Sequence, residues 1–263
     1  MSEFDHPDGK HRNDDSSQAI AIIAQELRSP LMPIINAATV LRNTPIDEGM
    51  VRRAAGVIDR QARMLSRLVD DLLEVAISRT GRLCIRRKPT SMASIVDMCA
   101  ETVAAAVADY GHQLQVNVAP QSMDLDADSF RVVQALKNVV LNAAQYSDRG
   151  RLIRILAARE NGDAVVRVVD QGFGIDAAHL ESIFDLYENS SRKDDSRKVG
   201  GLGVGLYLAR YVAQAHGGTL VAKSDGVGRG STFTLRLPCH YADRPDRALE
   251  EPSSRSDSRF TTA

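Results

Sequence analysis

Two glycine clusters hold the residues whose types and spacing could do chemistry: Asp170-Gln171-Gly172-Phe173-Gly174 and Gly200-Gly201-Leu202-Gly203-Val204-Gly205-Leu206. Between them lies a polar insert, Glu188 to Lys198, carrying Lys193, Arg197 and Lys198. Glycine lets a backbone approach a ligand closely or turn with positive φ. Behind the second cluster, Tyr207 to Ala215 reads as a helix that stops at His216-Gly217-Gly218. A helix N-terminus placed behind such a turn presents unpaired N–H groups and partial positive charge, which suit phosphate. The chemistry indicated is the holding of a nucleotide.

Which nucleotide fold depends on what surrounds the glycines. A dinucleotide site of the Rossmann type needs a buried strand directly before them. Asp194-Asp195-Ser196-Arg197-Lys198 stands there instead, and the acidic residue in reach, Asp225, falls in a turn. A Walker loop also fails, because no Lys-Ser or Lys-Thr follows.

The elements that must position these residues divide the chain. Residues 1–17 are expected to be a disordered polar arm, and 241–263 a disordered tail. From Gln18, apolar residues recur at three- and four-residue steps (Ile20, Ile23, Leu27, Leu31, Ile34), predicting a helix kinked at Pro30 and Pro33. A second amphipathic helix follows the turn at 43–47, with Leu65, Leu68, Leu72 and Val75 on its stripe. Residues 18–80 thus form a helical hairpin whose apolar face calls for a partner, a four-helix bundle on dimerisation being one answer. Packing on the downstream domain is the other.

After Thr80-Gly81 the period changes. A short strand is expected around Leu83, Ile85 and Arg87, and a helix from Ser91 to Tyr110, so that 81–111 links into the domain at 112–240. There, strands at 113–118 and 123–125, a helix opened by Asp126 or Asp128, and hairpins about Asn161-Gly162 and Gly226-Val227-Gly228-Arg229-Gly230 predict an α/β sandwich with a largely antiparallel sheet. The fold class is α+β.

The chain has 263 residues, 43% hydrophobic and 25% charged, an ordinary soluble composition. A formal net charge of -1 gives no reason to expect nucleic acid or an anionic membrane as partner. Cys84, Cys99 and Cys239 are too far apart for a metal-binding spacing. No secretory signal is visible, and no apolar run reaches the roughly 18–20 residues that membrane insertion needs. The expected location is cytoplasmic.

Four segments in order resemble the boxes of sensor histidine kinases. Leu136 to Ser147 resembles their N box, Asp170 to Ile175 the G1 box, Ile183-Phe184-Asp185-Leu186-Tyr187 the F box, and Gly200 to Leu206 the G2 box. The hairpin resembles the family's dimerisation and phosphoacceptor hairpin, with Ala24 to Leu31 where the H box belongs and Leu68 to Leu73 like its second-helix seam. The resemblance covers residues 18–238 and implies ATP and Mg²⁺ as cofactors. It also implies a homodimer or heterodimer through the hairpin, and a response-regulator receiver domain as partner.

Under this resemblance each site residue has an expected role. Asn142 offers an amide oxygen suited to Mg²⁺ bridging phosphates, and Asn138, one turn earlier, could bond phosphate. Asp170 accepts from the adenine amino group, Gly172 and Gly174 let the backbone near the base, and Tyr146 packs near the nucleotide. Lys193, Arg197 and Lys198 belong to the lid. Gly201, Leu202, Gly203, Val204, Gly205 and Leu206 line the phosphates. Gln145 stands where the family usually has Lys or Arg, which should weaken phosphate alignment.

One departure changes the chemistry. Gln25 holds the position of the family's acceptor histidine, and a carboxamide nitrogen, its lone pair delocalised, is no nucleophile. Glu26 stands where the family has its general base. Ser29, one turn on, occupies a position that orients water in response-regulator phosphatases. His6 and His11 are poor substitutes, and His112, His179 and His216 read as packing or capping residues. Three functions follow as expectations: a kinase acting in trans on a partner's histidine, an ATP-binding pseudokinase, and a response-regulator phosphatase acting through Glu26 and Ser29.

Overall fold

The computed structural model describes residues 8–43, 47–79, 84–188 and 202–239. The hairpin is formed by α1 (Asp8–Asn43) and α2 (Glu48–Arg79). Helix α1 starts inside the stretch expected to be a disordered arm, and it runs unbroken through Pro30 and Pro33. Each proline lacks the N–H that would reach one turn back, which leaves the carbonyls of Glu26 and Ser29 without that bond. Asp47 caps α2: its carboxylate accepts from the Met50 N–H at 2.6 Å and its carbonyl from Val51 at 3.1 Å.

The second unit is a sandwich of one sheet and three helices: α3 (Met92–Asp109), α4 (Ser129–Gln145) and α5 (Gly205–Ala215). Its sheet runs β2 (Gln113–Val118), β4 (Leu152–Glu160), β5 (Asp163–Val169), β7 (Thr232–Pro238), β6 (Thr219–Lys223). Only β2–β4 is parallel among these pairs, as the largely antiparallel expectation requires. The β4–β5 hairpin turns at Asn161 and Gly162, both at positive φ (52° and 90°).

The strand expected around Ile85 lies three residues later. β1 (Lys88–Ser91) pairs antiparallel with β3 (Asp124–Ala127) in a separate two-stranded sheet. Alternation in Leu83-Cys84-Ile85 suggested the earlier place, but pairing with β3 decides the register. Ser91 then caps α3, accepting from the Ser94 N–H at 3.2 Å. Helix α3 is integral to the domain: Met92, Ile95, Val96, Cys99, Val103 and Val107 share its main core with Leu136, Val140, Ile153, Ile155 and Phe233. The helix expected within 81–111 thus packs in the core of the domain.

A second, smaller apolar cluster joins the units. Leu68 and Val75 of α2 are buried with Leu202, Val204 and Leu208, and Ile22, Ile23, Leu27, Leu72, Leu186, Tyr187 and Tyr207 pack against them. Part of the hairpin's apolar face thus packs on the downstream domain. Other apolar residues of the hairpin are exposed, including Leu31, Met32, Ile35, Val69 and Leu73. Among the described residues no helix is long and apolar enough to cross a membrane.

Candidate nucleotide site

The site is assembled where α4, the end of β5 and the start of α5 converge. Asp128 caps α4 by accepting from the Arg131 N–H at 3.2 Å. The helix then presents Asn138, Asn142 and, at its C-cap, Tyr146 at four-residue steps, hence along one face. All three are half-buried. Asn138 Nδ2 donates to the Gly205 carbonyl at 3.1 Å, tying α4 to the first turn of α5. A side chain at Gly205 would meet Asn138 at 3.5 Å, ordinary contact.

Helix α5 begins without a side-chain cap, its N-cap being Val204. Its first N–H groups therefore lack a side-chain partner. Gly203 precedes it at φ +66°, a conformation that favours glycine. Gly203 and Gly205 flank the N-cap of the helix. Leu202 and Val204 do not face a ligand with their side chains. Both are buried against the hairpin, so only their backbone is available. Leu206 likewise packs on the main core. Lys193, Arg197, Lys198 and Gly201 lie outside the described residues. The two flanks of that insert, Leu186–Tyr187 and Leu202–Val204, both rest in the apolar cluster shared with α1 and α2.

Asp170 is held rigidly. Its Oδ1 accepts from the N–H of Gly172 (2.8 Å) and of Ser231 (3.1 Å), and its Oδ2 from the Ser231 hydroxyl. Its own N–H donates to the Ser231 carbonyl at 3.0 Å. Burial pushes the carboxyl's pKa up, and the Ser231 hydroxyl, the Gly172 N–H and the Ser231 N–H oppose that rise. Three donors leave an ionised carboxylate, with about four acceptor positions, room for one further donor.

The glycines of the first cluster serve the protein before any ligand. A Cβ on Gly172 would collide with the Tyr146 carbonyl and approach the Ser147 hydroxyl to 2.7 Å. Gly172 is thus needed so that the loop can lie against the end of α4, and its Cβ space is not open to a base. Gly174, at φ +67°, abuts the Gly226 carbonyl. The turn between β6 and β7 locks the loop: Ser224 Oγ accepts from the Ile175 N–H at 3.0 Å and donates to the Gly230 carbonyl at 2.7 Å. The Gly228 N–H donates to the Phe173 carbonyl at 2.6 Å.

Ser231 and Ser224 are the site residues that sequence reasoning missed. Ser231 lies 61 residues from Asp170, and no local spacing connects them. The signal available was the polar pair Ser231-Thr232 directly after Gly230, where the alternating strand begins.

Phe184 is buried, edge-on to Phe233 at 6.2 Å, with the Arg210 guanidinium 5.1 Å over its ring. It supports the loop below the site. His216 is a packing residue, as expected: Nε2 accepts from the Asp128 N–H at 3.0 Å, so Nδ1 carries the proton given to the Val212 carbonyl at 2.8 Å. His112 pairs with the Ala144 carbonyl at 2.9 Å. On α1, Gln25 and Ser29 are exposed, Glu26 is half-buried and Pro30 is buried. An open cleft of about 530 Å³ near Arg86, Lys88 and Phe130 takes in Asp128 and Arg131 at the start of α4 but none of Asn138, Asn142, Tyr146 or Asp170.

A sandwich with an asparagine-bearing helix, a clamped aspartate and an uncapped helix behind a glycine turn defines a class of ATP-binding domains. The family model described as histidine kinase-, DNA gyrase B-, and HSP90-like ATPase matches residues 127–241, and the His Kinase A (phospho-acceptor) domain matches 15–81. The chain belongs to the two-component sensor histidine kinase family.

Among its relatives are the sensor-like histidine kinase SenX3 of Mycobacterium tuberculosis (strain ATCC 25618 / H37Rv), 32% identical over 90% of this chain and 58% of that protein. Another is the sensor protein KdpD of Clostridium acetobutylicum, 31% identical over 84% of this chain and 24% of that protein. The chain therefore spans less than two thirds of the curated relatives it matches. The fold is shared with the Acinetobacter baumannii histidine kinase AdeS (TM-score 0.62, 18% identity, 82% of this chain and 98% of that one). It is shared too with histidine kinase ThkA crystallised in complex with response regulator protein TrrA (TM-score 0.66, 18% identity, 88% of this chain and 64% of that one).

Proposed function

We propose that this chain binds Mg·ATP and transfers the γ-phosphoryl group in trans, to a histidine on the hairpin of a partner kinase. The observation that carries this reading is the pairing of a well-built site with an acceptor position that holds Gln25. Asp170, satisfied by three donors and left with one acceptor position, suits the adenine amino group. Asn142 supplies an amide oxygen for Mg²⁺, and Asn138 fixes the α5 N-terminus where phosphates would lie. Phosphoryl transfer asks mostly for positioning and charge stabilisation, and Lys193, Arg197 and Lys198 of the insert are the cations suited to that charge. The nucleophile has to come from elsewhere, because the Gln25 carboxamide cannot attack phosphorus.

The exposed apolar residues of the hairpin support a dimer, either with a second copy or with another kinase's hairpin, and a receiver domain as downstream partner. A second reading, response-regulator phosphatase, is favoured by Ser29, which is exposed one helical turn after Gln25 with Glu26 beside it. The test is incubation with γ-labelled ATP and a separately supplied histidine-bearing hairpin. Acid-labile label on that hairpin supports the kinase reading. ATP binding without transfer removes it, and faster loss of phosphate from a phosphorylated receiver, sensitive to Ser29→Ala, would put the phosphatase in its place.

A further inference from the structure

We infer that the contact between the hairpin and the ATPase domain is a proton-sensitive latch, in which Glu74 of α2 is held by Arg131 and Gln134 of α4, Asp71 lies half-buried beside it, and acidification strengthens docking. The stripe of α2 that enters the contact is Leu68, Leu72 and Val75, buried or half-buried against Leu202, Val204 and Leu208. Asp71 and Glu74 lie three residues on from Leu68 and Asp71 respectively, hence along the same face.

Glu74 is met from the other domain. Its Oε1 accepts from Arg131 Nη1 at 3.0 Å and from Gln134 Nε2 at 2.5 Å, while Arg131 also donates to Gln134 Oε1 at 3.0 Å. The side chains of Arg131 and Glu74 are only 23% and 21% exposed, so this is no ordinary surface pair. These residues also bound a small gap with Ala135, Asn138, Leu208 and Val212. The latch therefore grips α4, the helix that carries Asn138 and Asn142.

Asp71 has no such partner: among the described residues no donor hydrogen-bonds its carboxyl. The charged groups acting on it are Glu74, Asp70 and Arg67 on its own helix and Lys137 on α4. At this contact α5 contributes Leu208 and Val212 with Tyr207, α1 the apolar Ile22, Ile23 and Leu27, and the loop before the insert Leu186 and Tyr187. Burial first, then Glu74 and Asp70, push the Asp71 pKa up to about 6 from 3.8, against the pull of Lys137 and Arg67. Exposed on an undocked helix, the same carboxyl would return to the ordinary range.

The sign follows. The docked state has the higher pKa, so it holds the proton more tightly, and docking weakens as pH rises through about 6. With docked and undocked values about two units apart, the docked-to-undocked ratio should rise about tenfold between pH 8 and pH 5. The docking itself does not depend on phosphoryl transfer, so this inference stands or falls apart from the proposed activity.

The experiment is an inter-label distance distribution in the full chain from pH 5 to pH 8. Labels sit at Ala62→Cys and Val227→Cys, both exposed positions, with Cys84 and Cys239 replaced by Ser. The docked fraction should fall with pH as above, and Asp71→Asn should abolish the step. Glu74→Gln should move the step to lower pH and Lys137→Gln to higher pH, opposite shifts that a merely structural role would not produce. Should Glu74→Gln release the domains at every pH, Lys137→Gln still carries the test. A docked fraction independent of pH, a step surviving in Asp71→Asn, or no upward shift in Lys137→Gln overturns the latch.

Discussion

Replacing Ser231 with alanine removes one of the three donors that hold the buried Asp170 carboxylate. The hydroxyl bond is made to a charged acceptor, a type that contributes about 1.5–3 kcal/mol. It is also the largest influence opposing the upward push of burial on the Asp170 pKa, so the variant's pKa should rise further. The sign of the linkage is then set. A carboxyl whose folded pKa is raised contributes stability below its ordinary value of 3.8, and that contribution is lost as pH climbs through the folded pKa. Ser231→Ala should therefore be destabilised by about 1.5–3 kcal/mol at neutral pH, where Asp170 must stay ionised in an apolar setting. At low pH the deficit should shrink to the roughly 1 kcal/mol of a neutral hydrogen bond. Thermal melts across pH read this difference, and Mg·ATP titration at neutral pH should show weakened binding, with Ser231→Thr restoring both. Equal melting of the variant and the parent at every pH, or unchanged ATP affinity, would refute the idea that Ser231 keeps Asp170 charged and aimed.

Three further outcomes are expected. Gly172→Ala should cost about 3 kcal/mol, since its Cβ meets the Tyr146 carbonyl with no soft neighbour to yield, whereas Gly162→Ala, in open space, should cost only the roughly 1–2 kcal/mol of positive φ; parallel melting curves decide. In native protein near pH 8, a thiol reagent should modify exposed Cys84 quickly and leave Cys99, fully buried with its pKa pushed up to about 12, untouched, as mass spectrometry would record. Asn138→Leu, which removes the amide bond to the Gly205 carbonyl, should loosen the start of α5 and lower ATP affinity more than fold stability; equal losses of both in calorimetry would contradict a positioning role.

Much of this was legible in residues a few positions apart. Asn161-Gly162 between two alternating runs acts locally, so spacing located it, and spacing narrowed the caps of α4 and α3 to Asp126 or Asp128 and to Thr90 or Ser91, of which Asp128 and Ser91 make the bond. What spacing could not supply was contact across the chain. The clamp on Asp170 joins β5 to β7 over 61 residues. The space at Gly172 is filled by the end of α4 and not by a ligand, which only packing reveals. Leu202 and Val204 fall in the run expected to line the phosphates, yet their side chains serve the hairpin contact. The register of β1 depends on β3, some 35 residues downstream, and so the alternation before Pro89 misplaced it. Pro30 and Pro33 both lie within α1, the one helix that the apolar repeat from Gln18 predicts.

The proposed transfer in trans requires a competent phosphoryl-transfer site and an acceptor position that Gln25 disables. The direct measurement is incorporation of phosphate from γ-labelled ATP into the parent chain and into Gln25→His, side by side, with the bond tested for acid lability. Label in the variant alone, lost in acid as phosphohistidine requires, is the predicted result. Acid-labile label in the unmodified chain would contradict the acceptor assignment, and no label in either, with ATP bound to both, would contradict the claim that the domain is a working kinase.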